Sequence, residues 1–137
     1  MSGLRQAFAD DPLNLLKLRW VEGKIFAGLG KLHRAEAIFT EVKEEFRQRD
    51  RKYLVAMLDL ELMNVQLRQG GGAEIDALAE EAVGIFRELK VHREALKAVS
   101  FLREACRQKL ATSELVQEVV NFLNRLERRP GLRFGLS

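Results

Sequence analysis

The sequence predicts an all-α fold, a helical-repeat array of three antiparallel hairpins, and three observations support this class. Apolar residues recur at i, i+3 and i+4 through six segments, and no stretch alternates apolar and polar residues as a half-exposed strand does. Short turns join the segments, and short turns make neighbouring helices antiparallel. A shift of 40 residues overlays the first two hairpins without gaps, and a period of this size indicates a stacked helical array.

Residues that start or end helices set the boundaries of the hairpins. Asp11 can accept hydrogen bonds from free backbone N–H groups, and Pro12 suits the first position of a helix. Gly30 suits the left-handed residue that ends a helix, and Thr112 and Ser113 form a capping pair for the sixth helix. The predicted organisation is a lead-in at 1–10, a helical-repeat domain at 11–129 with hairpins at about 12–49, 52–89 and 92–129, and a tail at 130–137.

The third predicted helix, at about 52–69, carries apolar residues on two nearly opposite faces. Leu58 and Leu62 belong to one face and Leu60 to the other. A helix with two apolar faces is packed between neighbours, so we expect this helix at the centre of the array. The fifth helix, at about 92–109, has one broad apolar face, as expected of a terminal repeat with nothing stacked beyond it.

The first predicted helix also carries two apolar stripes, although it opens the array. One of them contains Leu13, Leu16 and Trp20. A soluble monomer seldom leaves contiguous apolar surface of this kind exposed to water. We therefore expect that residues 1–10 cover the stripe or that something outside the chain does. Candidates for an external cover are an upstream domain, a partner, or a second copy of the chain that pairs through Leu13, Leu16 and Trp20.

The first hairpin resembles a tetratricopeptide repeat. Gly23 and Phe26 lie at the spacing of the small and aromatic residues in the first helix of that family's signature. Gly30 matches its turn glycine, and Ala35 and Phe39 match the alanine and the aromatic residue of the second helix. The resemblance implies a right-handed stack of hairpins, with a concave groove lined by the first helix of each pair.

The resemblance extends over roughly residues 16–128, with charged residues near Arg47 in place of the family's closing proline. It also implies which residues face the groove. Their cations and amides suit an acidic peptide or the C-terminus of a peptide. The groove positions carried over onto this sequence are Lys17, Lys24, Met57, Asn64, Arg68, Lys97, Glu104 and Gln108.

A second resemblance concerns the C-terminal part of the chain. HREAL at 92–96 and PGLRF at 130–134 resemble segments of C-terminal helical modules in bacterial regulatory proteins. The two resemblances imply a protein–protein interaction scaffold that binds a peptide or partner domain within a bacterial regulatory or signalling assembly. One alternative is a homo-oligomerisation module of a larger transcription-regulatory protein, and another is that the groove residues are solvated positions on a spacer. A further alternative is nucleic-acid contact through the basic C-terminal end, which contains Arg125, Arg128, Arg129 and Arg133.

Composition favours a cytoplasmic protein. The net charge of +3 is mildly basic, and a dedicated nucleic-acid binder usually concentrates more charge on one face, so nucleic acid is the less favoured partner. Cys106 is the only cysteine, which excludes an internal disulfide and suits a reducing compartment. No apolar run approaches the ~20 residues that span a bilayer, and the N-terminus lacks the apolar core of a signal peptide.

The residue types that carry catalysis or bind metals are sparse and scattered. His33 and His92 are far apart and have no adjacent ligand pattern, so we predict no metal site. Cys106 lies on the apolar stripe of the fifth helix, where we expect a buried and unreactive thiol. Glycines 70–72 follow a helix rather than a strand, so they indicate a turn and not a phosphate-binding loop.

Paired acidic residues are predicted to be solvated. Glu44-Glu45 and Glu80-Glu81 fall on the exposed sides of amphipathic helices, whereas carboxylates used as acid and base must converge in a cleft. The sequence therefore predicts that the protein is not an enzyme, with no catalytic residues and no cofactor.

Overall fold

The computed structural model describes residues 11–72, 74–131 and 134. In this part of the chain the regular structure is six α-helices and no strand, which confirms the predicted all-α class. The predicted lead-in at 1–10 and much of the tail lie outside the described residues. The helices are α1 (Pro12–Gly28), α2 (Leu32–Gln48), α3 (Lys52–Arg68), α4 (Ile75–Glu88), α5 (Arg93–Arg107) and α6 (Ser113–Arg128).

Side-chain caps begin the first and last of these helices, as the sequence predicts. The Asp11 carboxylate accepts hydrogen bonds from the backbone N–H groups of Leu13 (3.1 Å) and Asn14 (3.3 Å). The Thr112 hydroxyl accepts one from the N–H of Leu115 at 3.1 Å. Each cap satisfies N–H groups that have no partner within the helix.

The turns between helices share one backbone feature, a residue with positive φ, which recurs at intervals of about 20 residues. Gly30 and Gly70 have φ of 79° and 104°. The same place in the other turns is taken by residues with a side chain: Asp50 (φ 56°), Lys90 (52°) and Lys109 (58°). The left-handed conformation costs an L-residue roughly 1–2 kcal/mol, so these three turns are strained where the two glycine turns are not.

Helix α3 is the centre of the molecule. It packs against α2, α4 and α6, and its buried residues include Leu58, Leu60 and Leu62, which are at most 4% exposed. Residues from both predicted apolar faces are therefore buried, which confirms that this helix is packed between neighbours.

The third hairpin closes a ring of four helices. α4 packs on α5, α5 on α6, and α6 returns to α3. Tyr53 and Glu127 meet at one end of the α3–α6 pair (3.4 Å), and Asn64 and Gln117 meet near the other (3.0 Å). These contacts show that α3 and α6 are antiparallel. The first hairpin packs on the outside of this ring through α2.

A glycine brings α1 close to α2. Gly23 is buried, and a Cβ atom at this position would lie 2.7 Å from Cε1 of Phe39 and 3.1 Å from Cγ2 of Ile38. Ala35 and Phe39 are also buried, at 0% and 1% exposed. Gly23 and Phe39, two of the residues that carry the tetratricopeptide resemblance, thus meet in the contact between the first two helices.

The described residue of the far tail, Phe134, packs against α5 and α6. Its aromatic ring lies 5.7 Å from that of Phe101 and 5.3 Å from that of Phe122, measured between centroids. Its backbone N–H donates to the buried carboxylate of Glu94 at 3.0 Å. The tail therefore contributes to the core beside α5 and α6, which the sequence pattern did not predict.

Candidate functional site

A polar cavity of about 200 Å³ lies where α1, α3 and α6 meet. Long polar side chains reach it from all three helices, while an aromatic ring and small residues form the rest of its wall. Its lining residues are Lys24, Ala27, Gly28, Phe39, Glu61, Asn64, Val65, Arg68 and Gln117.

Three residues assigned to the groove from the sequence come together here. Lys24 reaches the cavity from α1, and Asn64 and Arg68 reach it from successive turns of α3. The Arg68 guanidinium donates to the backbone carbonyl of Ala27 at 2.9 Å, which ties the C-terminal ends of α1 and α3 together. The Asn64 amide donates to the side-chain oxygen of Gln117 at 3.0 Å.

A buried carboxylate adds an acceptor to this group of donors. Glu61 is 7% exposed and accepts a hydrogen bond from the indole N–H of Trp20 at 3.1 Å. Burial raises the pKa of Glu61, while the Trp20 hydrogen bond and the charge of Lys24 act in the opposite direction. Glu61 was not among the residues predicted from the sequence, although an acidic residue between the buried residues Leu60 and Leu62 was a signal for it.

Two other predicted groove residues occupy different surroundings. Lys17 is exposed on α1, two turns before Lys24, and is not part of the cavity wall. Met57 is 6% exposed and belongs to the hydrophobic core, so it offers almost no surface to a partner.

Of the groove residues predicted on the third hairpin, Lys97 and Glu104 lie on α5 and Gln108 is its C-cap. Lys97, Glu104 and Gln108 are all exposed, and Gln108 donates to the Glu104 carboxylate at 3.0 Å. None of the three lines the cavity. Its third wall comes from α6 through Gln117, because α6 is the helix that returns to α3.

The apolar stripe predicted for self-association faces inward. Leu13, Leu16 and Trp20 are partly buried against the core, and the Trp20 ring packs edge-on against Phe46 with 6.0 Å between centroids. Other helices of the same chain therefore supply much of the cover for this stripe. A different set of apolar side chains, on α1 and at its C-cap, faces solvent: Val21, Ile25 and Leu29, which are 49%, 56% and 66% exposed.

A second polar cluster joins α2, α3 and α4. The Lys43 ammonium lies 2.6 Å from the fully buried carboxyl group of Asp59 and 2.9 Å from the carboxylate of Glu81. Arg47 pairs with the other oxygen of Glu81 at 2.9 Å. Glu81 is therefore not a solvated residue, which corrects the expectation from its place in an acidic pair. Its neighbour Glu80 is exposed, as predicted.

The two acids of this cluster have opposite pKa shifts. Burial raises the pKa of Asp59 to about 8. Burial opposes ionisation of Glu81 as well, but hydrogen bonds from Arg47, Asp59 and Lys43 outweigh it and lower the pKa of Glu81 to about 2. The cluster joins α2, α3 and α4, because Lys43 and Arg47 of α2 contact the acids of the other two helices.

The remaining candidate residues have structural surroundings. Cys106 is buried, and burial together with the charge of Asp76 raises the pKa of its thiol to about 11. His92 caps α5 by accepting the N–H of Glu94 at 3.1 Å. His33 lies at one side of a wide groove of about 770 Å³ between α2 and α4. Within the described residues, no three His, Cys, Asp or Glu side chains are grouped in a way that could hold a metal ion.

None of the helices in the described ranges combines the length and the apolarity that crossing a bilayer requires.

Comparisons with known proteins do not assign the chain to a family. The chain matches no protein-family model, no curated protein and no solved structure.

Proposed function

We propose that this chain is a protein-interaction module that holds the end of a partner's peptide in the cavity between α1, α3 and α6. One observation carries the proposal: Lys24, Asn64 and Arg68 converge there with Gln117 and the buried Glu61. Cations and amides provide donors for a carboxylate, and Glu61 provides an acceptor for a peptide N–H. No catalytic step is part of this function.

The size of the cavity favours a peptide end over a small-molecule ligand. Its volume of about 200 Å³ is below the ~300–1,000 Å³ of pockets that enclose drug-sized ligands. Lys24 and Arg68 are exposed at its mouth, where they can pair with a carboxylate that remains partly hydrated. Glu61 lies deeper, so an incoming N–H group would meet it after the carboxylate has been captured.

The proposal also includes the type and the handedness of the helical array. We infer a right-handed, tetratricopeptide-like array of three hairpins serving a bacterial regulatory or signalling assembly. The tight Gly23–Phe39 contact and the 20-residue spacing of the turns support it. The return of α6 to α3 would then be a local modification that closes the groove into a cavity.

Peptide binding tests the proposal. A library of short peptides, each with either a free or an amidated C-terminus, is screened by fluorescence anisotropy against the whole chain. We expect binders in the free-acid half of the library, and at least a tenfold loss of affinity with Arg68→Gln or Lys24→Gln. Lys17→Gln is the matched control, because it removes a charge from α1 outside the cavity. Equal binding of amidated peptides, or equal losses with Lys17→Gln, would contradict the proposal.

Self-association through α1 is a second candidate function, favoured by the exposed stripe Val21, Ile25 and Leu29. By the 40-residue repeat, Ile25 corresponds to Val65 of α3. Val65 is 2% exposed because the preceding hairpin packs against α3, whereas Ile25 is 56% exposed. A second copy of the chain that packs on α1 would bury this stripe.

Light scattering distinguishes the two stripes of α1. If the exposed stripe is an interface, Ile25→Glu reduces the mass to that of a monomer and leaves helicity unchanged. Leu16→Glu, on the inward stripe, should instead unfold the domain, since its side chain packs against the core. A parent protein that is monomeric at all concentrations rules out this second candidate.

A further inference from the structure

One end of the helical ring gathers cations from three separate segments. The N-terminus of α3 meets the C-terminus of α4, where Lys52 pairs with Glu88 and the Tyr53 ring stacks on Phe86 with 5.5 Å between centroids. Tyr53 also contacts Glu127 near the C-terminus of α6. These contacts place the α2–α3 turn, the α4–α5 turn and the end of α6 side by side. We call this surface the basic end, and its residues are Arg51, Arg87, Lys90, Arg93, Arg125, Arg128 and Arg129.

The cations of the basic end are exposed and unpaired. Among the described residues, no carboxylate lies within ion-pair distance of any of the seven. Several nearby acids are already engaged, Glu45 with Arg49, Glu88 with Lys52 and Glu127 with the Tyr53 hydroxyl. Asp50, in the α2–α3 turn beside Arg51, is the exposed acid within this surface, and its charge also acts on Lys52. A chain with a net charge of only +3 therefore concentrates its excess positive charge here.

Helix dipoles account for only part of this cluster. Arg87, Arg125 and Arg128 lie in the last turns of α4 and α6, where a cation stabilises the negative end of the helix. Arg51, however, is the N-cap of α3, and Arg93 is the first residue of α5. A cation at a helix N-terminus faces the positive end of the dipole, so helix stability gives no reason for these two arginines.

The composition of the basic end indicates the kind of anion it fits. Six of its seven residues are arginine, whose planar fork of donors binds phosphate oxygens in pairs. Single-stranded nucleic acid also needs aromatic faces on which bases stack, but Tyr53 is half-buried against Phe86. The exposed large apolar side chain beside this surface is Leu89, which has no aromatic ring on which a base could stack. Separate cations on a bundle end suit the regularly spaced phosphates of a rigid duplex.

We propose that the basic end docks on the phosphate backbone of double-stranded nucleic acid without reading its sequence. The sequence pattern had indicated only the arginines of the sixth helix and Arg133, which lies outside the described residues. The fold adds the two turns, and these supply Arg51, Lys90 and Arg93. The surface lies at the opposite end of α3 from Arg68, so it can be occupied independently of the peptide site.

Anisotropy of a labelled 20-base-pair duplex, titrated with the whole chain at several salt concentrations, tests the proposal. We expect micromolar binding at low salt that weakens steeply as salt rises, since each phosphate contact contributes about 0.9 to the slope of log K against log salt. Arg125→Gln/Arg128→Gln/Arg129→Gln should weaken binding at least tenfold and reduce that slope. Arg51→Gln/Arg93→Gln should weaken it as well, with helicity retained in both variants.

A matched control removes the same charge from the other end of the bundle. Lys31→Gln/Arg34→Gln/Lys109→Asn alters three exposed cations at the α1–α2 and α5–α6 turns, and it should change duplex affinity by less than twofold. An equal loss in this control would overturn the proposal, because net charge alone would then explain binding. Tighter binding to single strands, or equally tight binding to a poly-glutamate peptide, would also overturn it, the latter in favour of an acidic protein partner.

Discussion

Gly23→Ala should destabilise the protein, although alanine favours helix more than glycine does. The new Cβ would lie 2.7 Å from Cε1 and 3.0 Å from Cδ1 of Phe39, and 3.1 Å from Cγ2 of Ile38. Phe39 is 1% exposed and belongs to the hydrophobic core, and its ring also forms part of the cavity wall. We expect α1 to move away from α2, because a shift of the buried ring would disrupt its packing in the core.

The expected magnitude follows from these distances. Carbon atoms prefer separations of about 3.5–4.0 Å, so the helices must separate locally by about 1 Å. Overpacking of this kind costs about 1–3 kcal/mol, and the helix propensity of alanine offsets about 1 kcal/mol of it. A net loss of up to about 2 kcal/mol should remain.

Gly84→Ala in α4 is the matched control, because a Cβ at Gly84 has nothing within 4 Å. Here only the helix propensity changes, and the variant should gain up to about 1 kcal/mol. Urea unfolding followed by circular dichroism measures both. If Gly23→Ala proves at least as stable as Gly84→Ala, the close approach of α1 and α2 is wrong, and with it the placement of Trp20 and Lys24 beside the cavity.

Three further predictions concern protonation, strain and reactivity. Burial raises the pKa of Asp59 to about 8 from its ordinary value of 3.8, so its contribution to stability is present at low pH and is lost as pH rises through about 4 to 8. Asp59→Asn should flatten this decline in urea unfolding measured across that range, whereas an equally steep decline in the variant would exclude Asp59 as its source. Lys90→Gly should stabilise the protein by about 0.5–1 kcal/mol by relieving the left-handed turn, and a loss in thermal unfolding would contradict the strain argument. Cys106 should react with a thiol reagent only after denaturant is added, and rapid labelling of the folded protein would place it on the surface.

The turns between helices show which backbone conformations could be predicted from the local sequence and which could not. Gly30 and Gly70 could be recognised because glycine adopts positive φ without strain. Asp50, Lys90 and Lys109 adopt the same conformation, yet their side chains give no comparable local signal. The same backbone hydrogen bonds close these turns and the glycine turns, since the N–H groups of Arg51, Val91 and Leu110 donate to the carbonyls of Phe46, Phe86 and Ala105. Sequence periodicity therefore predicted the helices well and the geometry of only two turns.

Some residues of the candidate site could be predicted from the sequence and others could not. Lys24, Asn64 and Arg68 could be assigned from the resemblance, because they depend on the register of α1 and α3 alone. Gln117 could not, since it enters the cavity only through the contact between α6 and α3, which is remote in sequence. Asp59 was missed for a related reason, as its partner Lys43 comes from another helix. Amphipathic patterns identify buried apolar faces but do not show which buried acids find partners.

Buried charged residues were the features that were hardest to predict from the sequence. A helix pattern assigns a charged residue to the exposed side unless another helix offers a counter-charge. Glu81 was placed on the solvent side for this reason, but Arg47 and Lys43 of α2 draw it into a cluster. Such pairings depend on helix–helix geometry, which no single-helix argument contains.

The most direct test of the peptide site uses the one tryptophan of the chain. The indole N–H of Trp20 donates to Glu61 beside the cavity and gives a single, readily assigned resonance in a nitrogen–proton correlation spectrum. Titration with a free-acid peptide selected from the library should shift this resonance in a saturable way, and its amidated counterpart should leave it nearly unchanged. If the peptide binds with the expected affinity while the Trp20 resonance stays unmoved, the partner docks elsewhere and the cavity between α1, α3 and α6 is not the binding site.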